Sequence, residues 1–510
     1  MTKNKETNQK TNNPYLDFDE PLQLENHGRP ITRRDFLGRG LIAGGATVLA
    51  PTLLGMLGPK AYAAVTETEC GIVAGSGGGA GKVPFMCVDL SGGANIAGSN
   101  VLVGGAGGQL DFLSNAGYQK LGLPESMLPS LAGQVDTLDS NGAGLKFHAD
   151  SALLRGIRDV ATQVTLDNVN GSIMCARSSN DTSDNPHNPM YGIYKAGADG
   201  DVVSLIGSRS SDSGGRSVAP TSMIDLSVRP TKISSGNDAR GLVDTGKLAQ
   251  LLPNGNDAAN VMQAIQRISE KKLGKIQETV ELKQLIECKY LESTVAASGD
   301  PNRTDINADT VLQSIFDNNN NDEISLNNFQ KTAAVSKLVI NGVAGAGTIQ
   351  FGGYDYHNST RTTGEARDRK AGQEIGLALE YAKLRGKPLM IYVFSDGSVA
   401  SDGNIDSTGK GIWKGDNSST SSSLMLVYDP AGLPQIANNN SQIGFFRPTG
   451  SIETSANVIS NNVDQLAEAV VLNYMALHND VGRFAQVLPN HGLGATAADL
   501  DALIAFQSIV

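Results

Sequence analysis

Five short apolar runs punctuate a chain that is otherwise rich in glycine and small polar residues: "VPFMCVDL" (83–90), "GSIMCARS" (171–178), "TIQFGG" (348–353), "LMIYVFSDG" (389–397) and "SLMLVYD" (423–429). Each is nearly continuous in β-branched, aromatic, Leu or Met residues, whereas a strand with one solvated face alternates apolar and polar positions. They predict strands covered on both faces. Helical patterns lie between and after them. In "AGQEIGLALEYAKLRGKP", Ala371, Ile375, Ala378, Leu379 and Ala382 share one face; Lys383 and Arg385 suit its C-terminal end, and Gly386 with Pro388 stops it. "VDQLAEAVVLNYMAL" (463–477) repeats the pattern through Val463, Leu466, Val470 and Leu477. Strands alternating with helices predict an α/β protein with a largely parallel central sheet. From about 245 to 338 the strand signal disappears and helical spacing takes over (Val261, Ile265, Ile268, Ile276), which predicts a helical insertion.

In an open parallel sheet, functional groups gather in the crevice at the carboxyl ends of the strands. Asp355 and His357 follow "TIQFGG", and Asp396 follows "LMIYVF". Ser91 and Asn95 follow "MCVDL", while His187 lies in the loop after "SIMCARS". Four segments therefore present polar groups to one predicted edge. An Asp-x-His pair suits a divalent cation, because carboxylate and imidazole are its ordinary ligands. The same three residues also suit a polar turn in which the aspartate caps local amides.

The N-terminus changes the picture of where this chemistry takes place. Arg33 and Arg34 precede Phe36 and Leu37; a Gly- and Ala-rich apolar stretch runs from Leu41 to Gly58, and Ala61-Tyr62-Ala63 ends it. Residues 1–63 thus read as a disordered leader and a twin-arginine signal peptide, with the twin-arginine translocase as partner and the periplasm or exterior as destination. The apolar stretch is short for a membrane span and is broken by Pro51, so the mature chain 64–510 is expected to carry no transmembrane anchor. Of the 41 basic and 52 acidic residues, eight and six fall in the leader, which leaves a net charge of −13. That balance argues against nucleic acid as a partner. Export permits disulfides, and Cys70 with Cys87 could close a loop over "GIVAGSGGGAGK".

With these motifs in order, the chain resembles the twin-arginine-exported domain of unknown function 1501 family, a distant relative of alkaline phosphatases and sulfatases. "FGGYDYH" is similar to that family's G-G-W-D-T-H, and "IYVFSDGS" to its strand ending in T-F-S-E-F-G. "LKFHADSALLRGI" is similar to its H-P-x-L segment. "ARSSNDTSDNPHNPMYGIYKAG" matches its Ser/Asn-rich loop, and "VDLSGGANIAGSNVLVGG" its opening strand with G-G-x-D-G-L-N. The likeness runs from about 83 to 435. It implies an alkaline-phosphatase-like sandwich and a metal-dependent hydrolase of phosphate or sulfate esters. The cofactor would be a divalent metal such as zinc, calcium or magnesium. It further implies Asp355, His357, Asp396 and His187 as metal ligands, with Asp416 in "GDNSST" matching a late D-H-G. Asp89 could substitute at the first strand, and Ser91 is the best-placed nucleophile. Two positions depart from the pattern: Asn95 stands where the family has aspartate, and Asn417 where it has histidine. Neutral amides are weaker ligands, so the alternative is a non-catalytic binding or cell-envelope assembly protein that keeps the fold.

Three further histidines read as structural. His148 is expected to cap or pack at the start of "ADSALLRGI", His478 to offset a helix dipole, and His491 to sit in a polar turn. "DNNNNDEISLNNF" (317–329) has the spacing of a calcium-binding EF-hand loop, but Asp322 replaces its glycine and Asn328 its bidentate glutamate. A loop between two helices is the expected reading.

Overall fold

A computed structural model describes residues 81–178, 182, 184–242, 303–319, 322–357 and 361–510. The leader 1–63, Cys70 and most of the expected insertion lie outside the described residues. The strands are β1 (Phe85–Leu90), β2 (Val135–Thr137), β3 (Lys146–His148), β4 (Val169–Met174), β5 (Val203–Gly207) and β6 (Thr231–Lys232). They continue with β7 (Ala344–Phe351), β8 (Leu389–Ser395), β9 (Val399–Ile405), β10 (Gly411–Asp416), β11 (Ser423–Tyr428) and β12 (Gln442–Ile443). Six helices matter below: α1 (Ala152–Val160), α2 (Met190–Lys195), α3 (Thr310–Asp317), α4 (Leu326–Ile340), α5 (Arg361–Arg385) and α6 (Val463–Leu477).

Eight strands form one sheet in the order β12-β4-β11-β8-β1-β7-β5-β6. β1, at its centre, pairs in parallel with β7 and β8. β11 alone runs against its neighbours β8 and β4. The protein is thus mixed α/β with a mostly parallel central sheet.

The near-continuous apolar runs have a simple cause: both faces of the sheet are covered. Met86, Val88, Ile391, Val393, Leu424 and Leu426 point to one side, where they meet α1, α4 and α5 through Leu154, Val335 and Leu379. Phe85, Cys87, Met390, Tyr392, Met425 and Val427 point to the other, against α2 and α6 through Ile193, Val470 and Tyr474. Burying both side-chain sets of each strand favours apolar residues along most of its length, and the polar exceptions such as Ser172 and Thr348 are buried as well.

β7 begins at Ala344, ahead of the run that predicts it, because "AGAG" looks like a loop. The reason for the small residues is crowding. A Cβ on Gly347 would lie 2.7 Å from a methyl of Val335 and 3.0 Å from one of Val339, both on α4. α4 itself falls in the stretch expected as an insertion, yet it lies on the sheet as a covering helix. Between α3 and α4, Asn319 donates its amide to the carbonyl of Asp159, and Asn328, in the first turn of α4, donates back to that of Glu323. The amide of Asn328 therefore serves the loop, where an EF-hand would have a bidentate carboxylate. Cys87 and Cys175 are buried free thiols. No helix among the described residues is long and apolar enough to cross a membrane.

Candidate metal centre

After β7, burial alternates along Tyr354, Asp355, Tyr356 and His357, so their side chains lie on two sides. Tyr354 and Tyr356 point inward, each 2% exposed. The Tyr354 hydroxyl donates to the carbonyl of Arg367 at 2.8 Å, and that of Tyr356 donates to Asp368 Oδ1 at 3.0 Å. The Tyr356 oxygen also accepts from the backbone N–H of Asn95 at 2.7 Å. Two anchored tyrosines leave Asp355 and His357 on the opposite, outer side. The β1 loop closes against them: a Cβ on Gly92, whose φ is +117°, would meet the Asp355 nitrogen at 2.5 Å. Only glycine fits there.

A third ligand arrives on the hairpin β9–β10, which leaves the end of β8 and returns to it. Asp416 pairs with Val399, and the Asn417 N–H donates to the Ser398 carbonyl at 2.8 Å. Asp416 Oδ1 thereby comes to 2.9 Å from His357 Nδ1, which also touches Asp355 Oδ1. Ligand atoms of Asp355, His357 and Asp416 lie within 4.8 Å of one another, and this is the one such group among the described residues.

His357 Nδ1 meets two carboxylate oxygens without the alignment a hydrogen bond requires. Two carboxylates and an imidazole whose ligand atoms converge are what a cation needs, so the donor set fits one. Two carboxylates also match the charge of a divalent ion. An imidazole ligand favours zinc or manganese over calcium and magnesium, which prefer an all-oxygen shell. Asp355 is 47% exposed, His357 26% and Asp416 25%, so the cluster is open to solvent on one side. Three protein ligands with an open side are the arrangement of catalytic sites, whereas structural sites are closed by four.

The other residues singled out by sequence are engaged in different arrangements. Asp89 is fully buried, and its carboxylate accepts from the N–H groups of Arg216 (2.6 Å) and Ser217 (3.0 Å) and from two serine hydroxyls. Burial pushes its pKa up, against those hydrogen bonds. Ser91 is 2% exposed; it donates weakly to Asp89 at 3.4 Å and accepts from Gln350 Nε2 at 2.7 Å. Asp396 is buried and bonds to the Asn185 amide. His187 stacks on Phe394 with centroids 5.6 Å apart, and its Nε2 lies 2.9 Å from the Ser178 hydroxyl. Burial pushes its pKa down to about 3. Asn95 contacts the Ser99 hydroxyl. Asn417 spends its side-chain oxygen on the N–H and hydroxyl of Ser419, capping the short turn 418–420. Of the residues singled out by sequence, Asp355, His357 and Asp416 alone bring their ligand atoms together.

His148 packs as expected, its Nε2 at the Met127 carbonyl and its Nδ1 accepting from Asp150 N–H. His478 differs. It accepts from Val83 N–H and meets the Tyr474 carbonyl through its other nitrogen, and burial pushes its pKa down to about 4. The ring ties the chain just before β1 to the end of α6, with both of its nitrogens engaged by backbone groups. His491 packs on Phe484 and accepts from Leu493 N–H. Sequence reasoning missed the inward anchors Tyr356 and Asp368. The period-two alternation of "YDYH" carried the first signal, and nothing in the helix sequence carried the second.

Compared with protein-family models, curated proteins and solved structures, the chain matches none.

Proposed function

We propose that this is an exported, metal-dependent hydrolase of phosphate or sulfate esters on an alkaline-phosphatase-like scaffold, with one divalent cation held by Asp355, His357 and Asp416. The observation that carries the reading is the convergence of two carboxylates and one imidazole on an open point at the carboxyl edge of a mostly parallel sheet. The resemblance to the phosphatase and sulfatase relatives supplies the substrate class. A bound divalent cation would supply a Lewis acid for an ester oxygen and an activated water. The chain's own contribution is to aim three ligands, leave one side open and seal the floor with Tyr354 and Tyr356.

A second reading has its own support. Ser91 is buried and engaged by Asp89 and Gln350, and Asn417 is occupied as a cap, so neither serves the expected chemistry. A non-catalytic binding or envelope-assembly protein would tolerate both. The two readings separate in one experiment on mature protein purified from its own host. Elemental analysis should find close to one zinc or manganese per chain, and Asp355→Asn, His357→Ala and Asp416→Asn should each remove it. Nitrophenyl phosphate or sulfate turnover should disappear with the ion, while Ser91→Ala should retain turnover. An ion without turnover favours the binding protein. A chain without ion, indifferent to chelator, sinks the metal reading altogether.

A further inference from the structure

The cation ligand Asp416 is followed by a run of serines, and two basic side chains are docked on it. Lys120 Nζ donates to the Ser419 hydroxyl at 3.0 Å and to that of Ser451 at 2.6 Å. Arg177 Nε donates to the Ser418 hydroxyl at 3.2 Å. Among the described residues neither side chain has a carboxylate partner, and the terminal nitrogens of Arg177 make no hydrogen bond.

The chain carries a net charge of −11, so acids are not scarce. Many of its cations find them, among them Arg158 with Asp136, Arg303 with Asp201 and Arg447 with Glu453, while Lys146 and Arg367 donate to backbone carbonyls. Lys120 is also partly withdrawn from water, which pushes its pKa down. A half-buried ammonium that faces only hydroxyls gains from an anion brought alongside. The serine turn is held firmly enough to aim both groups. Asn417 fixes Ser419 by two hydrogen bonds, and the Ser419 carbonyl accepts from Ile452 N–H at 2.9 Å.

We infer that Lys120 and Arg177, seated on the consecutive serines after Asp416, form the subsite that takes the tetrahedral oxyanion of the substrate. The inference rests on the metal-site reading above and assigns the anionic group to residues outside the metal ligands. Two cations on the turn that follows Asp416 suit a phosphoryl or sulfuryl group. The planar guanidinium has unused donors in the fork geometry that such oxygens accept, and the lysine adds a point charge. The hydroxyls of Ser418 and Ser451 can turn to donate as well.

Calorimetric titration of the mature protein, zinc-loaded and zinc-free, with inorganic phosphate and separately with sulfate tests this. Wild type should bind one of the two anions, and the tighter one names the ester class. Lys120→Met and Arg177→Gln should each weaken binding by about tenfold or more, as expected for a lost hydrogen bond to a charged group. Zinc stoichiometry and melting temperature should stay unchanged. Lys120→Arg should restore most of the affinity, and Arg447→Gln, remote and paired with Glu453, should change nothing. Wild-type affinity in both Lys120→Met and Arg177→Gln, or no binding of either anion by the wild type, overturns the inference. Joint loss of zinc and anion in both variants also overturns it, because the serine turn would then be supporting Asp416. If the wild type takes no zinc but binds phosphate through these two residues, the metal reading fails and the subsite stands.

Discussion

Tyr356 is the residue on which the geometry of the cluster turns. It lies between two of the three ligands, and its single hydroxyl joins the β1 loop, through Asn95 N–H, to Asp368 on α5. Tyr356→Phe leaves a buried N–H and a buried carboxyl short of a partner. The expected cost is roughly 1–3 kcal/mol of stability, with weaker zinc affinity, as denaturant unfolding and metal titration would show. If stability falls but zinc affinity does not move, the hydroxyl holds the fold without aiming the ligands. Asp368 adds a dependence on pH. It is 5% exposed, and burial raises its pKa to about 7, opposed by hydrogen bonds from Asn100 and Tyr356. The folded value lies above the unfolded one, so between about pH 4 and 7 the folded state holds more protons. Stability from this group is present at low pH and is lost as pH rises through 7, with a slope of at most about 1.4 kcal/mol per pH unit. Asp368→Asn should remove that slope. Unfolding free energies measured at pH 5, 6, 7 and 8 in both proteins give the difference directly, and parallel curves would refute the assignment.

Among the elements, α1 and α5 pack most closely, and glycine is the cause. A Cβ on Gly156 would run into the Arg369 carbonyl oxygen, and one on Gly372 into that of Leu153; Gly376 faces the Ile157 oxygen at 2.6 Å. The obstacle is backbone, which cannot rotate away. Gly372→Ala should therefore destabilise by about 1–3 kcal/mol or more, and a midpoint shift in urea unfolding reads it. An unchanged midpoint would mean that the helices can separate slightly at little cost. The same contacts explain what could be read from sequence. Strands buried on both faces declared themselves as apolar runs, and "VDQLAEAVVLNYMAL" matches α6 because its ends are marked by Asn462 and the turn after it. "AGAG" at the start of β7 hid its strand, since small residues chosen for helix approach look like loop. The first ten residues of α5 hid for a different cause: "RTTGEARDRK" is polar, and its packing depends on partners distant in sequence.

At the scale of the whole molecule, the site was legible in part. Asp355 and His357 follow from spacing at a strand end. Asp416 came from the family resemblance, since the turn of β9–β10 that delivers it has no local signature. Asp89, Asp396 and His187 instead engage Ser217, Asn185 and Phe394, and strand-end spacing does not carry side-chain direction of that kind. Export by the twin-arginine route, which we propose for this chain, makes a separate prediction. Replacing Arg33 and Arg34 together by Lys should strand precursor in the cytoplasm, as fractionation would show, and delivery of mature protein regardless would remove the proposal. The central position of β1 bears on the timing of that journey. Phe85, near the start of the described chain, finds its ladder partners at Ala346 and Met390. A ribosome must have released most of the polypeptide before the middle of the sheet can exist, and until then β1 is an unpaired, largely apolar strand. Such distant pairing makes for slow folding and for an aggregation-prone interval. A translocase that accepts its cargo already folded relieves the chain of repeating that interval on the far side of the membrane.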